Sequence, residues 1–96
     1  MGDVFEALAA PARRAILDVL SERDGQTLYE ICTRLTMRHK LTLTRQAISQ
    51  HLDVLEAAGL LSTKREGRYK YHYLDTTPLD TIVTRWLKPT RKKADK

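Results

Sequence analysis

Only one cysteine, Cys32, occurs in the 96 residues. No disulfide can therefore close within the chain, which fits a reducing compartment. No apolar run approaches the roughly 20 residues that a membrane-spanning helix needs. The start, Met1-Gly2-Asp3-Val4, lacks the basic segment and apolar stretch of a secretory signal. These absences lead us to expect a soluble, cytoplasmic protein. There is also no Gly-rich loop to cradle a phosphate, and no Ser, His and acid stand in a recognisable catalytic motif. An enzyme is not expected. The three histidines, His39, His51 and His72, are too scattered to form a site. His51, at the edge of an apolar stripe, reads as a partly packed structural residue.

An apolar fraction of 42% is ordinary for a globular chain, and the length supports one domain with a single core. Charge is distributed unevenly. Residues 1–30 carry three Arg and six acids, net −3, whereas residues 31–96 carry fourteen Lys or Arg and six acids, net +8, giving the overall +5. Such asymmetry favours a polyanionic partner for the C-terminal two-thirds.

Local signals divide the chain into elements. Asp3 can cap a short first helix with Val4, Phe5, Leu8 and Ala9 on one face. Pro11 suits the first turn of a second helix, whose buried side is Ile16, Leu17 and Leu20; Gly25 follows its end. Thr27 and Glu30 have the spacing of a capping box, opening a third helix with Leu28, Ile31 and Leu35. Thr36 to Leu43 has no clear period. Thr42 or Thr44 caps a fourth helix that runs to about Ala58 and stops at Gly59. Leu60–Arg65 and Arg68–Leu74 read as two strands, with Tyr69, Tyr71 and Tyr73 alternating and Glu66-Gly67 as a two-residue turn. Thr77-Pro78 starts a last helix that ends at Lys88-Pro89.

The fourth helix and the hairpin stand out. Ile48, Leu52, Leu55 and Ala58 form an apolar stripe, and Gln46, Ser49, Gln50 and Asp53 lie opposite at helical spacing. Gln and Ser side chains both donate and accept hydrogen bonds, which suits them to base edges in a major groove. Lys64, Arg65 and Arg68 at the hairpin tip supply cations beside that face, for the backbone or the minor groove. Thr44 and Ser49 are within reach of bases or phosphate, and Arg45 is a candidate for guanine or phosphate. Arg13 and Arg14 are weaker candidates, for phosphate or for an acid within the fold. Together these features describe a mostly α chain with a small β-hairpin, a winged helix-turn-helix of order α-α-α-α-β-β-α.

Three segments carry a family resemblance. Phe5 to Leu17 (FEALAAPARRAIL) looks like the LADPTRRxIL opening of the ArsR/SmtB repressors. Gln46 to Leu52 (QAISQHL), with Leu55, Ala58, Gly59 and Leu60, looks like that family's recognition helix, and Arg65-Glu66-Gly67-Arg68 like its wing tip. Over roughly residues 4–88 the chain thus resembles the ArsR/SmtB family of bacterial winged-helix repressors. The resemblance implies a homodimer that represses transcription and leaves DNA when an inducer binds. Two departures stand out. Met37 to Leu43, with Arg38, His39 and Lys40, lengthens a turn that is usually short. The Cys-x-Cys metal box is broken, because Arg34 follows Cys32 where a second Cys would stand. One thiolate does not make a soft-metal site, and the last helix offers only Asp80 toward a zinc site. No metal or other cofactor is expected, and Cys32 reads as a small buried residue.

The expected organisation is one DNA-binding and dimerisation domain over residues 1–88, then a basic, disordered tail over 89–96. The first and last helices carry more apolar surface than one small core can absorb. Val4, Phe5 and Leu8 are expected to meet Leu79, Ile82, Val83 and Trp86 of a second copy. The expected function is sequence-specific binding to double-stranded DNA as a homodimeric repressor that reads an inverted repeat, with an unidentified small-molecule inducer as a further partner. The competing reading is a winged-helix protein-interaction module without sequence preference on DNA.

Overall fold

Three of the helices begin where a side chain satisfies a free N–H group, and the second helix of the chain begins at a proline. The structure, a computed structural model, describes residues 3–86. The elements are α1 (Val4–Ala9), α2 (Pro11–Glu22), α3 (Leu28–His39), α4 (Arg45–Ala57), β1 (Leu61–Glu66), β2 (Tyr69–Leu74) and α5 (Thr77–Trp86). The order is that expected from the sequence. Asp3 accepts a hydrogen bond from the Phe5 N–H at 2.9 Å, and Pro11 is the first residue of α2. The capping box of α3 closes both ways: the Glu30 N–H donates to the Thr27 hydroxyl at 3.3 Å, and the Thr27 N–H donates to the Glu30 carboxylate at 2.9 Å. Thr44, rather than Thr42, caps α4 by accepting from the Ala47 N–H at 3.0 Å. The tail expected over 89–96 lies outside the described residues.

The structure corrects two local expectations. The aperiodic stretch from Thr36 is not a lengthened loop. It continues α3 through His39, and only residues 40–44 connect α3 to α4. This added turn exposes Thr36, Met37 and Arg38, and the last buried residue of α3 is Leu35, so no apolar residue marks its period. Lys40 ends the helix in the left-handed region (φ 55°), which brings the Leu41 N–H to the Leu35 carbonyl at 3.1 Å. The hairpin turn also shifts by one residue. Glu66 pairs with Tyr69, so Gly67-Arg68 is the turn. Gly67 has φ 63° while Arg68 keeps a negative φ, the pattern of a turn that needs glycine at its first central position.

The core forms where α1–α4 converge on the start of the hairpin. Ala7, Ile16, Val19, Leu20, Ile31, Leu35, Ile48, Leu55 and Leu60 are almost fully buried, with Ala15, Leu52, Ala58 and Leu61 close behind. The expected α4 stripe is thus buried throughout. On α2, Val19 and Ala15 are buried while Leu17 stays half-buried.

A buried residue pair ties the wing to the helices, beside a bond from the Leu74 N–H to the Asp24 carboxylate at 2.7 Å. Gln26, just before α3, bridges the middle of β2: the His72 N–H donates to the Gln26 carbonyl at 2.8 Å, and the Gln26 N–H donates to the His72 carbonyl at 3.1 Å. His72 Nδ1 donates to the same Gln26 carbonyl at 2.8 Å, and the Gln26 side-chain amide donates to the carbonyls of Val19 and Arg23. Both residues are buried. His72 is therefore a structural link between wing and helices. Gly25 precedes this bridge with φ 71°, and a Cβ there would come within 2.9 Å of the Tyr73 ring, so the close approach of β2 needs glycine.

Candidate nucleic-acid interface

Burial of Ile48, Leu52 and Leu55 fixes the rotation of α4 about its axis, and this decides which side chains face outward. Gln46, Gln50 and Asp53 are exposed, whereas Ser49 is half-buried. Neither Gln46 nor Gln50 spends its amide on a hydrogen bond to another described residue. Ser49 turns toward the wing. It lines a groove of about 300 Å³ between the start of α3, the outer side of α4 and β2. Leu28 and Leu52 give this groove an apolar surface. Asp53 and Glu56 come to it from α4, and Arg68 and Lys70 from the wing.

The first turn of α4 lies beside α3. Thr44 is committed to capping, with its oxygen on the Ala47 N–H. Arg45 places its guanidinium carbon 5.8 Å from the centre of the Tyr29 ring. Tyr29, in the first turn of α3, is 64% exposed. Cys32 lies one turn further along α3 and is half-buried, not fully buried as the sequence suggested. Burial pushes its thiol pKa up, and the Arg45 charge opposes this less strongly. A raised pKa leaves the thiol protonated and poorly reactive.

In the wing, Arg65 stands directly opposite Lys70 across the two strands. Two like charges at facing positions repel, and neither has an acidic partner among the described residues. Arg68 is in the turn itself. Lys64 pairs with Glu66 on its own strand at 3.7 Å, both well exposed. The hairpin tip therefore presents Arg65, Arg68 and Lys70 as uncompensated cations beside the polar face of α4. The sequence reading passed over Lys70. With the turn placed one residue early, Arg65 would face Arg68, and Lys70 would face Thr63. Gly67 at the first turn position was the signal that would have set the register.

Neither Arg13 nor Arg14 forms an ion pair with an acid among the described residues; both donate to backbone carbonyls. Arg13 donates to the carbonyls of Ala7 (2.8 Å) and Glu6 (3.0 Å) and to His51 Nδ1 (3.2 Å), and Arg14 donates to the Leu8 carbonyl. Helix α1 ends after six residues with its last carbonyls unpaired, and the two guanidiniums satisfy them. His51 is partly packed, as expected. Burial, followed by the Arg13 charge, pushes its pKa below the ordinary 6.5. Among the described residues, no group of three or more His, Cys, Asp or Glu stands close enough to hold a metal ion, and no helix is long and apolar enough to cross a membrane.

Two pairs of the expected dimer residues, Phe5 with Trp86 and Leu8 with Leu79, come together within one chain. None of the ten residues of α5 is buried. Phe5 of α1 lies 6.0 Å from Trp86 of α5, ring centre to ring centre, and the two are 54% and 52% exposed. Leu8 and Leu79 line a second, largely apolar groove with Leu17 and Leu74. Val4 and Ile82 are half-buried and Val83 is 40% exposed.

A helix pair joined by a short turn, followed by a basic hairpin, defines the class of winged helix-turn-helix proteins. Comparison with known proteins agrees. Residues 8–63 match a family model described as a helix-turn-helix domain. An uncharacterized HTH-type transcriptional regulator of Bacillus subtilis, YuzN, is 46% identical over 84 residues, covering 88% of this chain and 91% of that protein. The transcriptional repressor SdpR of the same organism is 32% identical over 95 residues, covering 99% and 97%. The crystal structure of an ArsR family transcriptional regulator superposes with a TM-score of 0.71 at 25% identity, covering 99% and 97%. The chain belongs to the ArsR/SmtB family of winged helix-turn-helix transcriptional regulators, and it is a DNA-binding regulator.

Proposed function

We propose that this regulator is a homodimeric repressor that works in the cytoplasm and reads an inverted repeat, with α4 in the major groove and the wing against the DNA backbone or minor groove. The outward amides of Gln46 and Gln50 carry this reading: they are exposed, uncharged and free of intramolecular hydrogen bonds among the described residues. Paired with adenine N6 and N7, such an amide distinguishes bases. Lys64, Arg65 and Arg68, together with Lys70, supply phosphate contacts that fix register and give salt-dependent affinity. Thr44 holds the N-terminus of α4, Arg45 stands at its entry, and Ser49 lies where the helix meets the wing. The relationship to SdpR, which is named a repressor, favours repression over activation. An inducer that releases DNA remains part of the proposal, with no metal as that inducer.

The test is fluorescence-anisotropy titration of the DNA upstream of the protein's own gene against a scrambled duplex, at two salt concentrations. The wild type is expected to prefer the native sequence, with two protomers per site. Gln50→Ala is expected to lose discrimination, by about 1–3 kcal/mol for a lost bidentate contact. Arg68→Ala is expected to weaken both duplexes and to reduce the salt slope by about 1. Equal weakening of both duplexes by Gln50→Ala would refute base reading by that residue.

A further inference from the structure

Tyr29 is a large ring left 64% exposed in the first turn of α3, and nothing in the packing of the core requires it there. What it touches is Arg45, the first residue of α4, whose guanidinium carbon is 5.8 Å from the ring centre. Two further observations place this pair. Tyr29 lines the groove that also contains Ser49, Arg68, Tyr69 and Lys70, so it stands on the side of the molecule that carries the polar helix face and the basic wing. The Arg45 charge also acts on Cys32, one helical turn after Tyr29, so the guanidinium stands close to the first turns of α3.

From this geometry we infer that Tyr29 is a positioning residue for Arg45, holding the guanidinium at the α3–α4 corner as a contact to a DNA phosphate and away from a base edge. The inference rests on the DNA-binding reading above and assigns Arg45 one of the two roles its sequence position allowed. A long Arg side chain gives up rotamer freedom when it binds. A ring that holds it in place beforehand reduces that loss, and a cation over a ring face at about 6 Å is attracted to it. Because the partner is a phosphate, the pair contributes affinity without sequence information.

The test uses the full chain and the same two duplexes, each titrated across a range of salt. Arg45→Ala is expected to weaken native and scrambled DNA by the same factor and to reduce the salt slope by about 1. Tyr29→Ala is expected to weaken both by about two- to fivefold, the range of an exposed cation–π contact, with an unchanged melting temperature. Tyr29→Phe, which keeps the ring and loses only the hydroxyl, is expected to bind like the wild type. Adding Tyr29→Ala to Arg45→Ala is expected to change nothing further. Four results would each overturn the inference: wild-type affinity in Tyr29→Ala, a full loss in Tyr29→Phe, additive effects in the double variant, or a selective loss of the native sequence in Arg45→Ala. If the wild type binds neither duplex, the DNA-binding reading itself fails; if it binds and only the Tyr29 variants are silent, that reading stands and the positioning role falls.

Discussion

Protonation of His51 is incompatible with the hydrogen bond that its Nδ1 accepts from Arg13. Burial and the Arg13 charge lower its pKa from the ordinary 6.5, so the folded protein holds the ring neutral where the unfolded chain would already take up a proton. The resulting contribution is complete above the unfolded value and is lost as pH falls from there through the folded pKa. Chemical denaturation at about pH 7.5 and about pH 5.5 brackets the ordinary titration of histidine. Wild type should lose more stability between them than His51→Gln, whose amide oxygen can accept the same bond and cannot titrate. Equal losses would remove His51 from the pH response. The packing of His51 was readable from its place beside Leu52. Its partner was not, because Arg13 lies 38 residues away and reaches it only after α1 has ended and turned.

Helix boundaries obey local chemistry closely enough to be tested one cap at a time. Thr44 satisfies a free N–H of α4, and replacing such a cap by Ala costs about 1 kcal/mol. Thr44→Ala should lower the unfolding free energy by that amount in urea titrations. Thr42→Ala, at an exposed position whose hydroxyl makes no described hydrogen bond, should stay within about 0.5 kcal/mol. A reversed order would mean that α4 starts earlier than it does here. The capping box of α3 and the proline of α2 were legible for the same reason: each acts within three residues of itself. The last turn of α3 was not, because it faces solvent and is held by a left-handed Lys40, where glycine would be the usual signal.

At the scale of the whole molecule, α5 has the appearance of an unfinished contact. It carries Leu79, Ile82, Val83 and Trp86 yet buries none of its residues, and its Trp86 meets a Phe5 that is itself more than half exposed. The proposed dimer would cover both rings. Sedimentation equilibrium should find a dimer for the wild type. Replacing both Phe5 and Trp86 by Ala should raise the dimer dissociation constant at least tenfold, about 1.4 kcal/mol, and weaken operator binding in proportion. A wild-type monomer, or a double variant that dimerises as tightly, would place the partner surface elsewhere.

The sequence alone determined what depends on near neighbours. Its apolar spacings set the number and order of the helices, its caps set where most of them start, and its alternating tyrosines marked the second strand. The polar stripe of α4 and the basic hairpin pointed to DNA before any contact was known. Tertiary structure decided what depends on residues far apart in the chain. The Gln26–His72 bridge spans 46 residues and helps to hold the wing against the helices, Arg13 serves the carbonyls at the end of α1 and no acid, and Tyr29 comes beside Arg45. The physical reason is the range of the forces that fix each feature. Capping and periodicity act within a turn or two of backbone, while a long cationic side chain takes whichever acceptor or ring the packed helices bring within its reach.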